Sequence, residues 1–567
     1  MDLGGVPVMK SLYQKSILVT GSTGFLAKVF VEKVLREQPN VKKLFLLVRA
    51  TDTKTAARRL QKEVIEKEVF KVLREKLGKD FDSFITNKVI PIVGDISCEN
   101  LGVSNSDVRE EIWREVDIIV NVAATTNFDE RYDVSLNINA LGAKRVLDFA
   151  KKCAKLEMLL HVSTAFVAGE REGVILEKPF YMGESLNGRP GLNIEAEMKL
   201  VEGRLKELCA YEATERAKTI AMKELGMIRS KLFGWPNTYV FTKALGEMLL
   251  LHSREDLPVV IIRPTIITST YREPFPGWIE GTRTIDSLIV GYGKGKLKFF
   301  LGDLALTMDV IPGDMVVNAM IATMVVHLKQ RSEFLYHVSS SVQNPVHYYT
   351  LENSTYQYFA KNPCKDKDGN LVKLGKVTVF PTMASFERYV TIRYRLPLKC
   401  LYMVNTAACK LLQPLYNDLD RKLNFVMRLI DIYGPYLFFQ GRFDDLNLER
   451  LRTTMRADGA VTDMLGFDPK CIDWDDYFLN VHIPEGRRLE KSTVGVSMTI
   501  CFPLQPCPSL SSWMVSSLLS KVGLLSIEMR RGGTVSTACQ ELARNLDIGL
   551  SKIVSIVVVV DFNRIGM

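Results

Sequence analysis

The ten cysteines include no C-x-x-C pair, and the six histidines are scattered without metal-ligand spacing, which argues against a metal site. No run of about 18 apolar residues occurs, so no transmembrane helix is expected. The polar stretch before the first strand, near Ile17, leaves no room for a secretory signal and is short for a transit peptide. An intracellular protein with reduced cysteines is therefore expected. Neither sign of charge dominates: 74 basic residues against 65 acidic ones give a net charge of +9 and a pI near 8.8. That is no nucleic-acid stripe. The mild excess suits an anionic cofactor, an anionic substrate carrier or an anionic membrane face, and equally a solvated surface with slightly more Lys than Glu.

What is present is the balance of a folded chain, 47% hydrophobic and 25% charged, long enough at 567 residues for two sizeable cores. Over the first 270 residues short apolar runs alternate with longer periodic ones. Residues 17–20, 44–48, 89–93, 118–122, 159–162 and 259–262 read as buried parallel strands. Helical patterns lie between them, beginning with Phe25–Arg36, and the alternation predicts a doubly wound, Rossmann-type α/β sheet. Residues 170–235 interrupt the rhythm as an insertion. Its part from Ile194 to Arg229 reads as one or two charged amphipathic helices, a solvated cap or a membrane-facing lid.

The expected divisions are a nucleotide-binding domain over 1–345, a linker over 346–384, a smaller helical C-terminal domain over 385–484 and an atypical tail from 485 to 567. The polar stretch NPCKDKDGNLVKLG (362–375) looks like part of an interdomain connection.

The strongest local signal is ILVTGSTGFLAK at 17–28. Gly21 and Gly24 follow a strand and open a helix, with Ala27 at the third small position. Small residues there let the backbone approach a pyrophosphate, whose charge meets the helix N-terminus. Thr23 and Phe25 belong to the same turn. The second strand ends in Arg49 where NAD-selective sites usually carry an acid, and a guanidinium suits a 2′-phosphate. The alternative is a surface Arg at a strand terminus. Asp95 is positioned to cap an adenine pocket or simply opens a turn. Ala123 and Ala124 after the fourth strand allow close cofactor approach, as core packing alone also would.

Thr164 in HVSTAFVAG and the pair Tyr239/Lys243 in NTYVFTKALGE are the catalytic candidates. Tyr and Lys four apart share one helix face, where the ammonium, with ribose hydroxyls, lowers the tyrosine's pKa toward neutrality. The threonine hydroxyl then holds the substrate oxygen. A bare Y-x-x-x-K is common by chance. A Gly-rich turn, a Ser/Thr at the fifth strand's end and then Tyr/Lys, in that order, is not.

TGSTGFLAKVF, LLVRA, HVSTAF, YVFTK, IIRPTII and MDVIPGDMVVN together resemble the extended short-chain dehydrogenases, and more narrowly the plant alcohol-forming fatty acyl-CoA reductases, over roughly residues 10–484. The resemblance implies NADPH-dependent reduction of a long-chain fatty acyl-CoA, through an aldehyde, to a primary alcohol by two hydride transfers. It implies Thr164, Tyr239 and Lys243 as catalytic residues. Gly21, Gly24, Ala27, Arg49 and Asp95 would hold the cofactor, with Pro264 and Thr265 beside the nicotinamide. An acyl carrier protein thioester is the alternative donor, and peripheral membrane contact fits a lipid substrate. Similar plant enzymes act at the endoplasmic reticulum or in plastids. The short leader favours the cytosolic face of the endoplasmic reticulum. The competing readings are a nucleotide-sugar epimerase or steroid dehydrogenase/isomerase on the same scaffold, and a non-catalytic nucleotide-binding scaffold.

Overall fold

The computed structural model describes residues 7–281, 284–295, 297, 299–366, 369–407, 410, 412–457 and 465–486. Of the expected tail, all but Glu485 and Gly486 lies outside the described residues. The chain forms two compact units. The first holds the described parts of Met1–Asp286, Leu304–Asn362 and Phe438–Ser497, the second those of Ser287–Asp303, Pro363–Leu437 and Met498–Met567.

Seven strands make the sheet of the first unit: β1 (Ser16–Thr20), β2 (Lys43–Val48), β3 (Val89–Val93), β4 (Ile118–Asn121), β5 (Met158–Val162), β6 (Val259–Pro264) and β7 (Glu333–Val338). Their order is β7-β6-β5-β4-β1-β2-β3, and every neighbouring pair is parallel. β1, β4, β5 and β6 are buried along their whole length, as continuous apolar strands covered on both faces should be. Pro91, which has no N–H to donate, sits in β3 at the sheet's edge, where the missing donor is tolerated.

Helix α1 (Phe25–Glu37) follows β1 directly, and its residues from Phe25 to Leu35 are all buried. Two helices stand in the 170–235 insertion, α2 (Ile194–Ala210) and α3 (Glu215–Leu232), capped by Asn193 and Thr214 side chains that accept from the Ala196 and Ala217 amides. Helix α4 (Thr238–Ser253) is capped in the same way by Asn237. Gly246 lets α4 approach its neighbour closely, since a Cβ there would lie 2.4 Å from the Asn139 carbonyl oxygen. Helix α5 (Gly313–His327) is buried at almost every position.

The span expected as a C-terminal domain, 385–484, is shared between the two units. The described residues of 438–486 belong to the sheet-bearing unit: Gly441–Phe443 pairs in parallel with Gly173–Ile175 of the insertion. The expected linker over 346–384 contains the helix Tyr348–Lys361, which buries Tyr348, Leu351 and Phe359 in the first unit. The chain passes to the second unit at Asn362–Pro363, inside the polar stretch. That unit is mainly helical (Met383–Val390, Leu396–Ala407, Gln413–Leu437). A strand pair in it, Phe299–Leu301 with Thr378–Phe380, adjoins an aromatic cluster of Phe299, Phe380, Phe386 and Tyr389. Among the described residues, no helix is long and apolar enough to cross a membrane and no group of three or more side chains is set to hold a metal.

Candidate active site

The strand order reverses between β1 and β4, and ligands of open α/β sheets bind outside the strand ends at such a point. Gly21, the residue after β1, has a φ of +66°, and a Cβ there would lie 2.8 Å from the Cα and N of Ala123, the second residue after β4. Only glycine fits. The Gly24 amide donates to the Gly21 carbonyl at 2.8 Å, closing the turn. Gly24 also caps α1 with extended backbone and no side chain, so the first-turn amides face outward without a side-chain acceptor. That is the arrangement an anionic pyrophosphate needs.

Thr23 is half-buried in the turn, and Ala27 is fully buried under it. Phe25 packs inward: its ring stacks on Trp278 at 5.1 Å and fills the space a Cβ on Gly313 would take. Arg49 is exposed just past β2, where its carbonyl accepts from the Arg59 guanidinium. Asp95 follows β3, and its carboxylate accepts from the Ser97 amide at 2.8 Å, capping its own turn.

The second group forms one strand over. Thr164, the second residue past β5, donates to the Pro264 carbonyl of β6 at 3.4 Å, and the Thr265 amide donates to the Val338 carbonyl at 3.1 Å. Thr164, Pro264 and Thr265 thus meet at adjoining strand ends. On α4, Tyr239 stays partly exposed with its ring stacked on Phe128 at 5.4 Å. Lys243, one turn on, is buried, and its Nζ donates to the Val162 carbonyl at the end of β5 at 2.7 Å. Burial draws this ammonium down to about 8, against the upward pull of Glu247. A partly exposed phenol one helical turn from an ammonium anchored at the end of β5, which Thr164 follows, can protonate an oxygen held there.

Sequence reasoning missed the polar neighbours beneath Lys243, namely His161, Asn121 and Thr20. Each sits in a strand that reads as apolar, and only the pairing of the strands brings them together.

Residues 19–320 match a family model for an NAD-binding domain described as male sterility protein, and residues 393–488 match a second model of that description. The chain is 55% identical over 479 residues to the alcohol-forming fatty acyl-CoA reductase of Simmondsia chinensis, covering 84% of this chain and 97% of that protein. It is 53% identical over 478 residues to fatty acyl-CoA reductase 1 of Arabidopsis thaliana, covering 83% and 96%. Among solved structures, the reductase domain of a nonribosomal peptide synthetase from Mycobacterium tuberculosis is similar, with a TM-score of 0.51 at 17% identity over 86% of this chain and 93% of that one. That last likeness is one of fold.

Proposed function

The chain belongs to the male sterility family of fatty acyl-CoA reductases, and from that premise we propose that it reduces long-chain fatty acyl-CoA to the primary alcohol, through the aldehyde, with NADPH as reductant. The observation that supports the reading is that the Gly21–Gly24 turn follows β1 while Thr164 follows β5, where Lys243, one helical turn from Tyr239, is bonded to the Val162 carbonyl. The glycine cradle beside Ala123 fits a nicotinamide dinucleotide, which when bound supplies hydride to the carbonyl carbon. Gly21, Gly24 and the first turn of α1 would hold its pyrophosphate, Arg49 its 2′-phosphate, and Pro264 and Thr265 would line the nicotinamide side.

The chain's own residues handle the oxygen. Thr164 turns its hydroxyl from the Pro264 carbonyl to donate a hydrogen bond to that oxygen and fixes its position. Tyr239 gives up its phenolic proton as negative charge develops there, and the Lys243 ammonium stabilises the phenolate left behind. In the first round the hemithioacetal hydroxyl returns its proton to the Tyr239 phenolate as thiolate leaves, which gives the aldehyde. In the second, with fresh NADPH in place of the spent nucleotide, Tyr239 protonates the alcohol oxygen and recovers its proton from solvent. No cysteine nucleophile takes part. Cys153, buried, has its thiol pushed up to about 12 and stays protonated. We place the work at the cytosolic face of the endoplasmic reticulum, ahead of the plastid, because substrate and product are lipids suited to peripheral membrane contact.

Incubation with NADPH or NADH and a panel of acyl-CoA chain lengths, with alcohol as the readout, tests the proposal. Long-chain alcohol should form with NADPH and disappear in Tyr239→Phe, at a loss of about 10²–10⁴ in turnover. Near-normal turnover in that variant, or an epimerised product without net reduction, would sink it.

A further inference from the structure

The mechanism above leaves unused a buried imidazole against its lysine. Thr20, Asn121 and His161 stand in register on β1, β4 and β5, so Thr20 opposes Asn121 and Asn121 opposes His161. In-register residues of adjacent strands point to the same face. Here they form a polar row, each member about 1% exposed or less, through an otherwise apolar sheet. The row is bonded end to end. The Ala123 amide donates to Thr20 Oγ1 at 3.3 Å, Thr20 Oγ1 donates to Asn121 Oδ1 at 2.6 Å, and Asn121 Nδ2 lies 2.9 Å from His161 Nδ1. His161 Nε2 faces Lys243 Nζ at 3.4 Å. A buried polar row costs stability unless it is satisfied, and it ends on the catalytic ammonium.

We propose that His161 is a positioning residue for the reduction, acting through Lys243: its Nε2 accepts from the ammonium and keeps it charged and anchored at the end of β5. The inference rests on the assignment of Tyr239 and Lys243 made above. A neutral imidazole has one lone pair and one N–H, so it can accept from Lys243 only when its proton is on Nδ1. The Asn121 amide supplies that condition once it is turned over, the two amide orientations being equivalent in shape. With its carbonyl oxygen toward His161 it accepts the Nδ1 proton, and its NH₂ donates to Thr20 Oγ1. In the orientation the structure has, Asn121 Nδ2 donates to Nδ1, the proton sits on Nε2, and the partner it suits is a neutral amine. Which amide end is oxygen is decided by such bonding, and the charged lysine selects the first arrangement.

His161 itself stays neutral, because burial and the neighbouring Lys243 hold it well below its ordinary range. The other charged groups nearby are committed elsewhere. Glu247, one turn along α4 from Lys243, pairs with Arg263 of β6, and Arg263 Nη1 lies 3.5 Å from His337 of β7. No carboxylate replaces His161 as the hydrogen-bond acceptor of Lys243 among the bonds that the described residues make.

The test is the pH profile of NADPH-dependent aldehyde reduction. Its alkaline limb reports loss of the proton held between Tyr239 and Lys243. His161→Leu removes the acceptor, so the ammonium should deprotonate sooner and the limb should move about one pH unit toward acid. His161→Gln, whose amide reaches where Nε2 was, should keep the limb near its original place. If the leucine variant does not fold, His161→Asn makes the same comparison, since its amide is too short to reach Lys243. An unmoved limb in the Leu or Asn variant, with only the melting temperature lowered, overturns the proposal, as does an equal shift in His161→Gln. Tyr239→Phe serves as the control: if it remains active, the active-site reading has failed, whatever His161 does.

Discussion

Arg49 and Glu177 are each expected to set one property of the enzyme through a single side chain. The Arg49 guanidinium is exposed at the end of β2, near the point where a dinucleotide's adenosine ribose lies in sheets of this order. A phosphate bound there gains a charge-assisted contact worth roughly 1.5–3 kcal/mol, about ten- to a hundredfold in binding. Arg49→Asp should therefore raise the KM for NADPH by about that factor and change the KM for NADH far less. Equal changes would make Arg49 an ordinary surface residue. Glu177 has its carboxyl pushed up to about 8 by burial, although it accepts from the His337 amide at 2.8 Å and the Asn447 amide at 2.7 Å. Between its ordinary value near 4.5 and about 8, the folded chain holds a proton that the unfolded chain has released, so stability should fall as pH rises through that window. Glu177→Gln should flatten the fall in melting temperature between pH 5 and 8, even if its absolute stability is lower. A slope identical to that of the unaltered protein would show that Glu177 ionises normally.

The element that ties distant chain together is the short strand Gly441–Phe443. Phe443 is fully buried; its ring meets Phe166 edge-on at 5.3 Å and His337 at 5.5 Å, and stacks on Phe439 at 5.5 Å. Phe443→Ala should cost about 3–5 kcal/mol of stability by leaving a cavity under the loop that follows Thr164. Thermal or denaturant unfolding measures it, and a loss below about 1 kcal/mol would mean that the strand is not part of this core. Its position was not legible in the sequence, because its pairing partner, Gly173–Ile175, lies in the insertion and shares no pattern with it. The first six strands were legible, since each carries a short apolar run that needs no partner to be recognised. The seventh, EFLYHV, opens on exposed Glu333 and carries His337, so its period is obscured. The same contrast holds in the site. Gly21, Thr164, Tyr239 and Lys243 announce themselves by local motif, whereas the row from Thr20 to His161 exists only once β1, β4 and β5 are in register.

At the scale of the whole molecule, the question is where the working enzyme stops. The second family match ends at residue 488, and the Simmondsia relative is covered over 97% of its length by 84% of this chain. Residues just before that point are built into the sheet-bearing unit. The Tyr477 hydroxyl donates to the Ser269 carbonyl at 2.8 Å and lies 2.8 Å from Thr268 Oγ1, and Trp474 Nε1 donates to the Asn344 carbonyl at 2.9 Å. A chain ending at Leu437 loses these bonds together with the Gly441–Phe443 pairing, and should be insoluble or unfolded by circular dichroism. A chain ending at Gly486 keeps all of them. It should fold, bind NADPH with unchanged affinity by nucleotide fluorescence, and form alcohol at the rate of the full chain. If it is inactive or insoluble, residues beyond 486 belong to the catalytic fold. If turnover is intact and only recovery in the membrane fraction falls, those residues anchor the enzyme at its lipid substrate without taking part in the chemistry.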